Sequence, residues 1–133
     1  MILLDTHVLV WLRAGDSKLG ARARRAVEKV HQSGGLAVSA ITFWEVGMLQ
    51  NAGRLKLAMG LASWRRRILD DGVTEIPVTG AIGIRATEIL PAHADPADRM
   101  IVASAVVAKA TLCTADGPLL DREMPITTID ATT

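Results

Sequence analysis

The chain has 133 residues, of which half are hydrophobic and 22% are charged, and its formal net charge is +1. This length fits one compact domain, residues 1–133, and leaves no room for a second. The near-neutral charge gives no general argument for a nucleic-acid partner, so RNA binding would need a local group of basic side chains. No apolar run approaches the ~20 residues that a membrane span needs, and Cys113 has no second cysteine to pair with. We therefore expect a cytoplasmic domain with no membrane association.

Short apolar segments alternate with segments of helical periodicity along the chain. The short segments predict strands at 2–4, 36–39, 75–78, 111–114 and 126–129. The periodic segments predict helices over about 19–30, 40–50, 60–69 and 79–90, and a further helix that begins at 96. Asp95 is a good N-cap for this last helix and Pro96 suits its first position, whereas Pro77 indicates an edge strand. The alternation predicts an α/β fold, a three-layer α/β/α sandwich around a central, mostly parallel sheet.

Four carboxylates fall close to the ends of predicted strands. Asp5 directly follows the first strand, and Asp116 lies two residues after the fourth. Glu45 lies about one turn into the helix that follows the second strand, and Asp98 lies at the start of another helix. Because ligands of open parallel sheets bind beyond the carboxyl ends of the strands, we expect the four acids to converge.

Clustered carboxylates of this kind indicate a metal site. Like charges at short range raise each other's pKa, so four neighbouring acids stay ionised only with a compensating cation. Mg²⁺ and Mn²⁺ prefer oxygen ligands and can activate water for attack on a phosphodiester. The acids therefore predict metal-assisted hydrolysis of a phosphate backbone.

Each acid also has a structural explanation that needs no ligand. Asp5 and Asp116 suit turns that follow strands, and Glu45 suits an exposed helix face. Asp98 suits the third position of a capping box. Asp95 is assigned to capping alone, because an N-cap aspartate is occupied with backbone N–H groups. We therefore expect Asp98 rather than Asp95 to face the site.

Two other classes of protein fit the sequence less well. Haloacid-dehalogenase-type phosphatases need a second aspartate two residues after the first, and this chain has His7 there. Receiver-like signalling domains need an aspartate after the third strand and a lysine after a later one. In this chain the segment after the third strand, 77–79, has no aspartate, and the segment after the fourth strand, 114–116, has no lysine.

Four segments, 5–11, 38–46, 93–99 and 114–116, resemble in order the acidic motifs of VapC-type PIN domains, and 53–57 follows the second as in those toxins. The resemblance covers nearly the whole chain. It implies a PIN-like fold and a Mg²⁺- or Mn²⁺-dependent endoribonuclease that leaves a 5′ phosphate and a 3′ hydroxyl. It also implies an RNA substrate, a homodimer and a VapB-like antitoxin as partners. The alternative is a catalytically silent PIN-like module that binds RNA or protein.

The resemblance also implies roles for individual residues. Asp5 and Asp98 match metal ligands, and Glu45 and Asp116 complete the acidic site as catalytic residues and ligands. Thr114 matches a supporting hydroxyl, and Thr6 is expected to act in the same way. His7 and His93 are expected to orient or stabilise the site. Ala97 stands where the third motif commonly has an aromatic residue, so the local packing is expected to differ.

Basic and aromatic residues give weaker signals. Arg65, Arg66 and Arg67 are candidates for contact with the RNA backbone or with an acidic tail of the antitoxin. A solvated helix face explains the same run. The tryptophans lie in apolar segments and are expected in the core or in a dimer contact; they are Trp11, Trp44 and Trp64.

Overall fold

The computed structural model describes residues 1–91 and 94–133 and contains one five-stranded sheet. The strands are β1 (Ile2–Leu4), β2 (Leu36–Ser39), β3 (Thr74–Ile76), β4 (Thr111–Thr114) and β5 (Thr128–Asp130). Their order across the sheet is β3-β2-β1-β4-β5, and all neighbouring pairs are parallel. The predicted α/β sandwich is confirmed, with β3 at an edge as Pro77 indicates.

Helices connect the strands and cover both faces of the sheet. They are α1 (Thr6–Ala14), α2 (Ala21–Gln32), α3 (Ile41–Asn51), α4 (Leu61–Asp70), α5 (Gly80–Ile89), α6 (Pro96–Ala108) and α7 (Gly117–Asp121). The first, second and fourth strands were predicted with their observed bounds, but α1 and α7 were not predicted. Within the described part of the chain, no helix is long and apolar enough to cross a membrane.

The core is divided by the sheet because side chains alternate along each strand. Leu3 packs with Leu112 and with Ile101 of α6 on one face. Leu4 packs on the other face with Val27 of α2 and other side chains of α1, α3 and α4. Such burial on both faces is typical of parallel sheets and explains why β1 is apolar at every position.

The turn from β1 into α1 takes a single residue, Asp5. Its backbone N–H donates to the carbonyl of Cys113, 2.9 Å away, which continues the pairing with β4. Its side chain then accepts the N–H of Thr6 and caps α1. The first helix therefore begins at the carboxyl edge of the sheet, with Asp5 fixed between the two elements.

Candidate active site

The carboxyl ends of β1, β2 and β4 meet at one edge of the sheet and bring the predicted acids together. Asp5, Glu45, Asp98 and Asp116 line one pocket of about 490 Å³. Asp95, His7, Trp11 and Arg54 line the same pocket. His93 lies outside the described residues. The convergence that the strand ends predict is therefore observed for all four acids.

Asp5 is the most deeply buried of the four acids, with only 8% of its surface exposed. One carboxylate oxygen accepts the Thr6 N–H at 2.8 Å, and the other accepts the Thr114 hydroxyl at 2.6 Å. Burial raises the pKa of Asp5, while these two hydrogen bonds oppose the rise. Its carboxylate is thus held rigidly in a place where negative charge is costly without a cation.

A chain of buried hydroxyls holds Glu45. Thr6 Oγ1 donates to Glu45 Oε1, and it lies 3.1 Å from Thr42 Oγ1. Both threonines are fully buried. A hydroxyl carries one proton, so when Thr6 donates to the Glu45 carboxylate, Thr42 donates to Thr6. Thr42 was not predicted as a site residue, although a threonine three residues before Glu45 on the same helix was a usable signal.

Thr114 links two of the acids. Its hydroxyl donates to Asp5, and its oxygen accepts the backbone N–H of Asp116 at 3.1 Å. The Asp116 carboxylate caps α7 by accepting the N–H of Leu119 at 3.2 Å. Thr6 and Thr114 therefore both hydrogen-bond to acids of the pocket, and their supporting role in the site stays a prediction.

The prediction that only Asp98 faces the site was wrong, because Asp95 faces it as well. Carboxylate oxygens of Glu45, Asp95 and Asp98 lie within 4.8 Å of one another. Asp95 also caps α6, through Oδ1, which accepts the Ala97 N–H at 2.8 Å. Capping occupies one oxygen of the carboxylate and leaves the other available. The small side chain of Ala97 is buried, and the expected difference in local packing stays a prediction.

The acids strongly affect one another. The pKa of Asp98 is raised to about 7, first by burial and then by the negative charges of Asp5, Asp95, Glu45 and Asp116. Burial also raises the pKa of Glu45, against the hydrogen bond from Thr6. Without added positive charge, the group therefore binds protons at a pH where isolated carboxyls are ionised.

The donor set suits a hard divalent cation. Five carboxylates line the pocket, and carboxylate oxygen is the ligand type that Mg²⁺ and Mn²⁺ prefer. Cys113 lies buried in β4, where burial raises the pKa of its thiol to about 12. Cys113 is not among the described residues that line the pocket, so no thiol of the kind that zinc favours contributes to the donor set there.

The arginine run of α4 lies away from these acids. Both carboxylate oxygens of Glu75 accept hydrogen bonds from Arg65, at 2.7 and 2.9 Å. Its guanidinium also lies 5.7 Å from the centre of the Phe43 ring. Arg66 and Arg67 are exposed. Contact of the three arginines with RNA or an antitoxin remains a prediction.

The three tryptophans have different environments. Trp64 is buried in the core as expected, and Trp11 is half-buried beside the acids. Trp44, by contrast, is 58% exposed on α3, so it does not belong to the core of the monomer. The sequence predicts Trp44 either in the core or in a dimer contact. Because Trp44 is not in the core, the dimer contact remains as the prediction for it.

The parallel sheet with acids gathered at one carboxyl edge defines an α/β domain with a candidate metal site. The family model described as PIN domain matches residues 2–122, and the chain belongs to this family. It is similar to Ribonuclease VapC22 of Mycobacterium tuberculosis, with 31% identity over 125 residues and 93% of each chain covered.

Two solved structures share the fold. One is VapBC2 from Rickettsia felis bound to a DNA fragment from their promoter, with a TM-score of 0.69, 17% identity, and 97% of this chain and 98% of that chain covered. The other is DNA-bound VapBC from Salmonella typhimurium, with a TM-score of 0.68, 14% identity and 96% of each chain covered. At these identities the likeness shows the fold alone.

Proposed function

We propose that this chain is a Mg²⁺- or Mn²⁺-dependent endoribonuclease and the toxin of a VapBC-type toxin–antitoxin pair. The observation that carries the proposal is the convergence of the carboxylates in one pocket: Asp5, Glu45, Asp95, Asp98 and Asp116. The similarity to a protein named as a ribonuclease, over 93% of both chains, supports RNA as the substrate.

The acids would hold the cation, with Asp5, Glu45 and Asp98 as the main ligands and Asp95 and Asp116 beside them. A divalent cation supplies Lewis-acid polarisation of a scissile phosphate and eases deprotonation of the attacking water. Asp5 is oriented for this by Thr6 and Thr114, and Glu45 is oriented by Thr6. Because the pKa of Asp98 is about 7, cation binding is expected to release a proton near neutral pH.

A VapB-like antitoxin and a homodimer are the proposed partners. The fold is shared with chains of VapBC complexes, which supports an antitoxin partner. Trp44 and Met48 lie four residues apart on α3, and both are exposed, as is Ile84 on α5. Exposed apolar side chains at helical spacing are typical of a surface that a protein partner covers.

Cleavage of end-labelled total RNA by the purified, antitoxin-free protein tests the function. We expect cutting in Mg²⁺ or Mn²⁺, none in EDTA, and fragments that carry 5′ phosphates. RNA left intact by cation-loaded protein, but retained in a binding assay, would instead support the catalytically silent PIN-like module.

Replacing Thr42 by valine tests the hydroxyl chain. Valine keeps the shape but removes the donor to Thr6, so the hydroxyl that donates to the Glu45 carboxylate is held by one hydrogen bond fewer and orients Glu45 less firmly. By analogy with residues that orient metal ligands, we expect cleavage and Mn²⁺ affinity to fall roughly tenfold. The lost hydrogen bond lowers the free energy of unfolding by about 1 kcal/mol.

The Thr42→Ser variant is the matched control, since serine retains the hydroxyl and is expected to keep near-parental Mn²⁺ affinity. Calorimetric titration of both variants with Mn²⁺ gives the Mn²⁺ affinity, and thermal unfolding gives the change in stability. Equal Mn²⁺ affinity in the valine and serine variants would show that Thr42 only fills space.

A further inference from the structure

One cationic side chain lies among the acids of the pocket. Of the described residues that line this pocket, Arg54 is the single arginine or lysine, and five carboxylates line the same pocket. Arg13, Arg65 and Arg85 form ion pairs elsewhere, but within residues 1–91 and 94–133 no ion pair involves Arg54. Its side chain is exposed, so the guanidinium is available to an anionic ligand.

The end of α3 fixes where Arg54 lies. The N–H of Gly53 donates to the carbonyl of Gln50 at 3.0 Å, and the N–H of Arg54 donates to the carbonyl of Leu49 at 2.9 Å. These two bonds form a Schellman turn, which needs a left-handed residue, and Gly53 has a φ of 69°. The turn brings the chain back along α3, and Leu49 and Arg54 both line the acidic pocket.

Arg54 also lines a second, adjoining groove of about 260 Å³ between α3 and the start of α6. Trp44, Met48 and Pro96 line this groove, whereas Glu45 and Asp95 belong to both cavities. Arg54 thus lies at the boundary between the acids and the surface that leads away from them. A strand whose scissile phosphate lies at the acids would bring a neighbouring phosphate to this boundary.

We propose that Arg54 binds a phosphate of the RNA strand beside the scissile one, a contact that rests on the proposed ribonuclease function. An acidic pocket repels a polyanion, and cations among the acids neutralise only the phosphate that they touch. The planar guanidinium matches two phosphate oxygens and requires no other protein partner. The competing explanation is that Arg54 only reduces the mutual repulsion of the acids.

The two explanations predict different results for Arg54→Gln. Binding of a short fluorescein-labelled single-stranded RNA of mixed sequence is measured in saturating Ca²⁺, with the RNA shown to be intact on a gel. If Arg54 binds a phosphate, the Kd for this RNA is roughly fivefold higher for Arg54→Gln than for the parent protein. The slope of log Kd against log salt falls by roughly 0.7, the value for one phosphate contact on a single strand.

Mn²⁺ titration of the RNA-free Arg54→Gln protein gives the second readout. Removing a positive charge from the pocket strengthens cation binding, by about twofold or more. The substitution therefore acts in opposite directions on the two ligands. Arg54→Lys keeps the charge and retains most of the RNA affinity, and Arg25→Gln, exposed on α2, changes neither quantity.

Tighter Mn²⁺ binding with an unchanged RNA Kd and salt slope would overturn the phosphate contact and leave the ribonuclease function intact. Loss of RNA affinity in the Arg25→Gln control to the same extent would overturn it as well. A parent protein that neither binds nor cuts RNA with cation present would overturn the function and the contact together.

Discussion

Replacing Asp5 by asparagine is expected to abolish RNA cleavage and to leave the fold at least as stable as that of the parent. Asparagine has the same shape, and its carbonyl oxygen can accept the Thr6 N–H as the carboxylate does. Its amide group can donate to Thr114 Oγ1 once the Thr114 hydroxyl proton turns away, which reverses the direction of that hydrogen bond but keeps both buried partners bonded. What is lost is a negative oxygen ligand at the centre of the acidic pocket.

The expected loss is at least about 100-fold in the rate of cleavage, as for other substitutions that disrupt a metal site. Because burial raises the pKa of Asp5, its ionised form opposes folding at neutral pH. The cation-free variant should therefore melt at the parental temperature or above it. Gel assays give the rate of RNA cleavage, and thermal unfolding in EDTA gives the melting temperature.

The control for this substitution is Asp70→Asn, since Asp70 is exposed at the end of α4, away from the pocket. It is expected to cut RNA at the parental rate. A folded Asp5→Asn protein that retains full cleavage would contradict the assignment of Asp5 to the cation. An unfolded variant would contradict the hydrogen-bonding argument.

Lowering the pH is expected to stabilise the cation-free protein. The pKa of Asp98 is about 7 in the folded chain, against an ordinary value of 3.8. The folded state therefore binds more protons than the unfolded state between these values, and stability falls as the pH rises through about 7. The raised pKa values of Asp5 and Glu45 act in the same direction.

Thermal unfolding in EDTA should thus give a higher melting temperature at about pH 5.5 than at about pH 8. Saturating Mn²⁺ should abolish most of the difference, because the cation replaces the proton as the compensating charge. Below about pH 4 the trend reverses, because Glu75 and Asp130 have lowered pKa values and their stabilising contacts are lost on protonation.

Asp98→Asn tests the source of the pH effect. The variant should melt at a temperature that depends much less on pH over the same range, and it should bind Mn²⁺ more weakly. A parent protein that is more stable at about pH 8 than at about pH 5.5 in EDTA would contradict the clustering of the acids.

The sequence predicted the sheet well because its strands are short, apolar and flanked by polar turns. It did not reveal α1, since the apolar run at 8–11 is nearly continuous and hides the helical period. It did not reveal α7 either, because five residues are too few to show a period. In both cases the N-cap acid, Asp5 or Asp116, was itself the signal that a helix followed.

The acids were predicted as a group, but their supporting contacts were predicted only in part. Asp95 was assigned to capping alone, although a carboxylate can cap with one oxygen and face a site with the other. Thr42 and Arg54 reach the site through tertiary packing and a helix-ending turn. The spacing of Thr42 and Glu45 on one helix was a usable signal, but a pattern of residue types along the chain does not encode the contact of Thr42 with Thr6 or the position of Arg54 beside the acids.

We claim that the acids of this pocket bind the cation on which RNA cleavage depends. This claim is tested most directly by restoring activity to EDTA-treated protein. Mn²⁺ is added stepwise, the bound fraction is followed by calorimetry, and the rate of RNA cleavage is measured at each step. We expect cleavage to be absent at first and to rise in proportion to bound Mn²⁺, with no recovery in Asp5→Asn. Cleavage by the cation-free parent, or equal recovery in the variant, would contradict a cation-dependent nuclease site at these acids.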